Sequence, residues 1–196
     1  MANPEWSALR HVFARQTPRW WGNRFLVTVE AIALAALGLL YLYLRWKQAT
    51  EGMTALPDLR IPAANLMLML VSLLPMWYAA TIARHAGSAR AIGAWLSLCA
   101  ILGVTVAVFR VFELGSLRAR HETGGLASVG LAMLAVHLAH ITGATSSTVA
   151  ISMQMLKGPV DETHFGEVAA NARYWYLMVC SWLAFYPIIY LAPRFL

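Results

Sequence analysis

Five long apolar runs, separated by short polar links, account for most of the chain. They cover about residues 25–46, 62–84, 90–114, 123–156 and 172–192. A run of about 20 apolar residues is what a helix needs to cross the hydrocarbon core of a bilayer. The pattern therefore predicts an all-α polytopic membrane protein, a bundle of five transmembrane helices. The fourth run is too long for one perpendicular crossing, so it is expected to tilt or to project from the membrane. Pro75 lies inside the second run, where a kink is expected. The links read "KQATEGMTALPDLRIP", "HAGSAR", "SLRARHETGG" and "KGPVDETHFGEVAANA". Residues 1–23 precede the first run as a basic, aromatic interfacial arm. There Trp6, Phe13, Trp20 and Trp21 alternate with Arg10, Arg15 and Arg19, and Pro18 is expected to interrupt any long helix.

Composition agrees with the pattern. Of 196 residues, 60% are hydrophobic and 12% charged, against about 25% charged in an ordinary soluble domain. The net charge of +6 comes from Lys and Arg in links and at helix ends, where anionic headgroups attract them. Nucleic-acid binding is not expected. With the N-terminus in the cytoplasm, Arg10, Arg15, Arg19, Arg24, Arg84, Arg90, Lys157 and Arg173 share that side. Arg45, Lys47, Arg60, Arg118, Arg120 and Arg194 fall on the other. The bias favours N-terminus in and C-terminus out. Cys99 and Cys180 both sit in apolar runs without a CxxC pair, so neither a disulfide framework nor a Cys-based metal site is expected.

Three polar groupings lie within the apolar runs. Glu30 stands inside "LVTVEAIALAALGLLYLYLR", where a carboxylate is costly. Two readings are open. One is a neutral carboxyl bonded to a neighbouring helix, and the other is a part in moving protons or ions. Arg110 and Glu113, in "VFRVFELGS", are three residues apart and share a helix face, so they can pair. Either the pair neutralises itself near the interface or it contacts a neighbouring helix. His137 and His140, in "LAVHLAHITG", are also three apart. No HExxH, no ExxH partner and no third ligand at similar depth accompanies them. They are expected to hydrogen-bond between helices, and no metal or catalytic centre is expected in this chain.

These residues carry a family resemblance. "VEAIALAALGLLYLYLR", "FRVFEL", "GGLASVGLAMLAVHLAHI" and "HFGEVAANARYWYLMVCSWLAFYPIIYL" occur in an order and spacing that resembles subunit III of the haem-copper oxidases, in its short five-helix form. The likeness runs over residues 24–191, within a five-helix domain of residues 24–196. By that resemblance Glu30 falls on the family's carbodiimide-reactive glutamate, and Glu113 on a helix-end glutamate with Arg110 where Gln is usual. His137 and His140 fall on the family's paired histidines. Tyr176 stands where the family has a final-helix His, Val179 where it has Asp, and Thr123 where an Asp often precedes a glycine motif.

The resemblance implies a non-catalytic subunit that binds no haem or copper itself. It would pack on the catalytic subunit I and on subunit II, which carry those cofactors, hold structural phospholipid, and sustain proton uptake during oxygen reduction. It also implies a bacterial inner membrane. Related five-helix proteins accompany nitric oxide reductases, which is the first alternative. An independent proton-coupled carrier is the second.

Overall fold

The structure, a computed structural model, describes residues 18–47, 58–85, 87–118, 125–160 and 162–195. Most of the proposed arm, including Trp6, Arg10, Phe13 and Arg15, lies outside the described residues, as do Arg120 and Thr123. Every long element is helical: α1 Pro18–Lys47, α2 Arg60–Arg84, α3 Ala89–Arg118, α4 Gly125–Lys157 and α5 Glu162–Tyr186. A π-helical segment, Pro187–Leu191, and a last turn, α6 Ala192–Phe195, continue from α5. Among the described residues there is no strand, and five helices are long and apolar enough to cross a membrane. The protein is a multi-pass, all-α membrane bundle.

Two boundaries differ from expectation, each for a local reason. The first described helix, α1, opens at Pro18. A proline costs little in a first turn, because the N–H it lacks has no intrahelical acceptor there. Residues 18–23, placed in the arm, therefore belong to the first spanning helix. The fifth helix starts at Glu162, ten residues before the expected 172. His164, Glu167 and Asn171 made this stretch read as a link, yet its alanines favour helix and no proline interrupts it. The true link is the short "GPV", where Gly158 N–H bonds Gln154 O at 2.8 Å to close α4. At the other end α3 runs on to Arg118.

The helices α2, α3, α4 and α5 pack as a closed four-helix ring, each touching the next and α5 returning to α2. Helix α1 lies outside the ring, in the groove between α4 and α5. Its spanning window is 17% buried, against 39% for α2, α3 and α5. Met69, Met76, Ile92, Leu96, Met133, Leu134, Trp175 and Trp182 fill the ring's interior.

Lipid tails are as apolar as leucine, so close backbone approach and hydrogen bonds must hold such a ring together. Gly103 meets that need: a Cβ there would lie 2.7 Å from the Trp175 ring and would also collide with Thr145. Ser152 Oγ donates to Gly93 O across the α3–α4 contact at 2.9 Å. Trp175 Nε1 donates to Ser72 Oγ at 2.9 Å, tying α5 to α2. Helix α2 continues through buried Pro75 without a break.

Candidate functional sites in the membrane interior

The three polar groupings resolve into two clusters. His137 and His140, although three residues apart, belong to different ones. They project from α4 toward different neighbours.

The first cluster joins α1, α4 and α5. Glu30 Oε2 lies 3.5 Å from His140 Nε2, and the two side chains are 20% and 24% exposed. Tyr174 of α5 lies near the Glu30 carboxyl. His140 Nδ1 lies 2.7 Å from Val136 O. A carbonyl only accepts, so Nδ1 carries a hydrogen. A neutral imidazole then leaves Nε2 bare, and attraction to Glu30 requires a proton on the carboxyl. A protonated imidazole instead faces a carboxylate. At 3.5 Å the contact is longer than a good hydrogen bond, and Oε2 makes no other.

This cluster does not face lipid alone. A cleft of about 490 Å³ between α1, α4 and α5 is lined by Asn23, Ser147, Glu167, Asn171 and Tyr174, among others. Tyr174 thus belongs both to the cleft and to the Glu30 site. Asn23 and Leu26 line the cleft from the first turns of α1. Arg173 Nε donates to Asn23 Oδ1 at 3.1 Å near its outer end. Asn171 donates to Thr148 Oγ1 at 2.8 Å along its wall.

The second cluster lies inside the ring and touches α2, α3, α4, α5 and the π segment. Arg110 and Glu113 are 0% and 1% exposed, so the pair sits in the protein interior. Arg110 Nη1 donates to Glu113 Oε2 at 2.5 Å. Asn65 Nδ2 of α2 reaches the same oxygen at 3.5 Å, and the Tyr190 hydroxyl donates to Oε1. The guanidinium lies over the Trp182 ring, Cζ 3.3 Å from its centroid, a close cation–π contact. Trp182 is in turn 5.3 Å from the His137 ring, centroid to centroid. His137 Nε2 donates to Met178 O at 3.1 Å.

Pro187 explains how Tyr190 reaches Glu113. A proline inside a helix removes one i→i−4 bond and crowds the preceding turn. The chain widens into a π turn over Pro187–Leu191, and such turns recur at functional sites. Tyr190 sits within this widened turn.

The expected site residues all fall in these clusters: Glu30 and His140 in the first, Arg110, Glu113 and His137 in the second. Sequence reasoning missed Tyr174, Asn65, Trp182 and Tyr190. Asn65 had a visible signal, being a lone amide in an apolar run. Tyr176 and Val179, the positions that depart from the resembled family, take part in neither cluster's bonds; Val179 is packed in the apolar core. Among the described residues no group of three or more His, Cys, Asp or Glu side chains is arranged to hold a metal. No known family model matches the chain, and no curated protein is significantly similar to it.

Proposed function

We propose that this chain is a non-catalytic integral-membrane subunit of a respiratory haem-copper terminal oxidase, of the subunit III type. It assembles with the catalytic subunits that carry haem and copper, holds phospholipid, and supports proton supply during oxygen reduction. The observation that carries the reading is convergence. Glu30 and His140, which come from two separate motif stretches, meet in space, and Tyr174 from the final motif joins them. Arg110 and Glu113 of a further stretch meet Tyr190 and Trp182 of that same final motif.

In this reading the work of the chain is positional and protonic. The Glu30–His140 contact lies close to a cleft between α1, α4 and α5. Its effect on proton supply is indirect, because the oxygen chemistry belongs to the partner subunits.

The test is purification of the affinity-tagged full chain from its native membrane in mild detergent. A haem- and copper-containing complex that reduces oxygen is the expected companion. Recovery with a nitric oxide reductase would replace the oxidase with that enzyme. Recovery of the chain alone, with proton uptake in vesicles coupled to a solute gradient, would overturn the subunit reading in favour of a carrier.

A further inference from the structure

The second cluster has more polar atoms than polar partners. Five of its buried side-chain atoms make no hydrogen bond within the protein: Arg110 Nε and Nη2, Trp182 Nε1, His137 Nδ1 and Asn65 Oδ1. The residues that carry them are each 0% exposed. Buried polar groups are nearly always paired, with protein or with ordered water. The four residues that carry these five atoms form one run of contacts: Asn65 and Arg110 share Glu113 Oε2, Arg110 lies over Trp182, and Trp182 packs near His137; one shared partner would satisfy them together.

The stacking geometry shows why the arginine atoms stay open. Arg110 presents the face of its guanidinium to Trp182, and this leaves the N–H groups in the guanidinium plane pointing outward. Glu113 takes only Nη1. No second subunit or lipid headgroup can reach atoms this deep in the ring, so the partner must be small.

The hydrogen-bonding sense of the five atoms identifies it. Arg110 Nε and Nη2 and Trp182 Nε1 can only donate. His137 Nε2 faces the Met178 carbonyl and therefore carries its hydrogen, which leaves Nδ1 of a neutral ring as an acceptor. Asn65 turns its amide nitrogen to Glu113, so its Oδ1 is an acceptor too. An anion would suit the donors and repel the two acceptors. Its charge would also go unmatched, because Glu113 already balances Arg110. Water donates and accepts and carries no charge.

We propose that the bundle interior holds a hydration site of about two ordered waters, at about three hydrogen bonds each, joining Arg110, Trp182, His137 and Asn65. These waters solvate the Arg110–Glu113 pair inside the ring. They link it to His137 on α4 and Asn65 on α2, so that four elements meet through one wet junction inside the ring.

Two tryptophans provide a matched experiment. Trp175 and Trp182 are both in α5 and are 1% and 0% exposed. Trp175 Nε1 is bonded to Ser72, whereas Trp182 Nε1 has no protein partner. Synchrotron hydroxyl-radical labelling of the full chain in nanodiscs, read by tandem mass spectrometry, marks buried side chains that touch bound water. Trp182 is expected to oxidise several-fold faster than Trp175. On the ¹⁵N-tryptophan-labelled chain, the Trp182 indole proton is expected to show a cross-peak to long-lived water that Trp175 lacks. W182F and W175F serve only to assign the two signals. Equal labelling of the two rings, high or low, or a Trp182 indole without a water cross-peak, would overturn the proposal.

Discussion

The two polar clusters use the same three kinds of group: a glutamate, a nitrogen base and a tyrosine. In the ring interior the base is Arg110, the carboxylate is 1% exposed, and Tyr190 and Asn65 complete its bonds. Beside α1 the base is His140, the Glu30 side chain is 20% exposed, and a polar cleft leads up to Tyr174. Arginine stays protonated in any protein setting, so the first arrangement is a fixed ion pair. Imidazole carries no permanent charge, so the second arrangement lacks a fixed cation. The same kinds of group thus form a sealed lock around a permanent cation in one place and a partly exposed contact around an imidazole in the other.

The largest expected effect comes from breaking the lock. Glu113→Lys places two cations within one turn of α3 in a sealed interior, and even loss of one partner from a buried pair costs about 3–5 kcal/mol. The folded yield in detergent should collapse. The double variant Arg110→Met with Glu113→Leu removes both charges and should recover most of it, because apolar replacement of a buried pair is often neutral or better. Thermal unfolding monitored by circular dichroism compares the variants. A Glu113→Lys protein with normal yield and melting temperature would show that the pair is not a lock.

The tyrosines sharpen the comparison. Tyr190→Phe strips a hydrogen bond from a carboxylate that water outside the ring cannot reach, which should cost about 1–3 kcal/mol. Tyr174→Phe makes the same chemical change beside an open cleft, where solvent can replace the hydroxyl, and should cost well under that. The melting temperatures of the two variants, measured in one detergent, decide it. Equal losses would mean that the two sites are equally sealed.

Much of this architecture was legible along the chain. Each apolar run became a spanning helix, because length and hydropathy alone decide that outcome in a bilayer. The Arg110–Glu113 contact was legible because three-residue spacing on a helix fixes proximity locally. What the pair faces was not. Asn65 and Tyr190 reach Glu113 from 48 and 77 residues away, and only tertiary packing brings them there. Trp182 reads as one more apolar residue until Arg110 lies over it. Pro187 drew no expectation from the sequence, and the π turn it opens, which carries Tyr190, appears only in the structure. The peripheral place of α1 was equally hidden, since its run is as apolar as those inside the ring.

Chemical reactivity separates the two glutamates without any mutation. A hydrophobic carbodiimide reacts with a protonated carboxyl that it can reach from the membrane or the cleft. Glu30 is partly exposed and lies beside His140. Glu113 is buried and engaged by Arg110, Asn65 and Tyr190. Peptide mapping after mild treatment should find the adduct on Glu30 and none on Glu113. Adducts on both would erase the distinction between sealed and open sites.

The smallest expected effect on stability is Glu30→Gln, and its smallness is informative. Glutamine keeps the shape of the side chain and can accept from Tyr174. It also needs no proton to stay neutral. A partly exposed pair of this kind contributes about 0–1 kcal/mol, so the melting temperature should barely move. In the oxidase complex proposed above, the first turnovers should proceed at the normal rate, because that proposal assigns the redox centres to other subunits. What should change under the same proposal is endurance: activity is expected to decline over repeated turnover, because Glu30 is proposed to support proton supply. His140→Gln leaves Glu30 without its base and should show the same decline, whereas Tyr190→Phe in the sealed cluster should not. Oxygen-electrode traces followed to substrate exhaustion measure both phases. An immediate loss of oxygen reduction in the Glu30→Gln complex would mean that Glu30 carries protons directly.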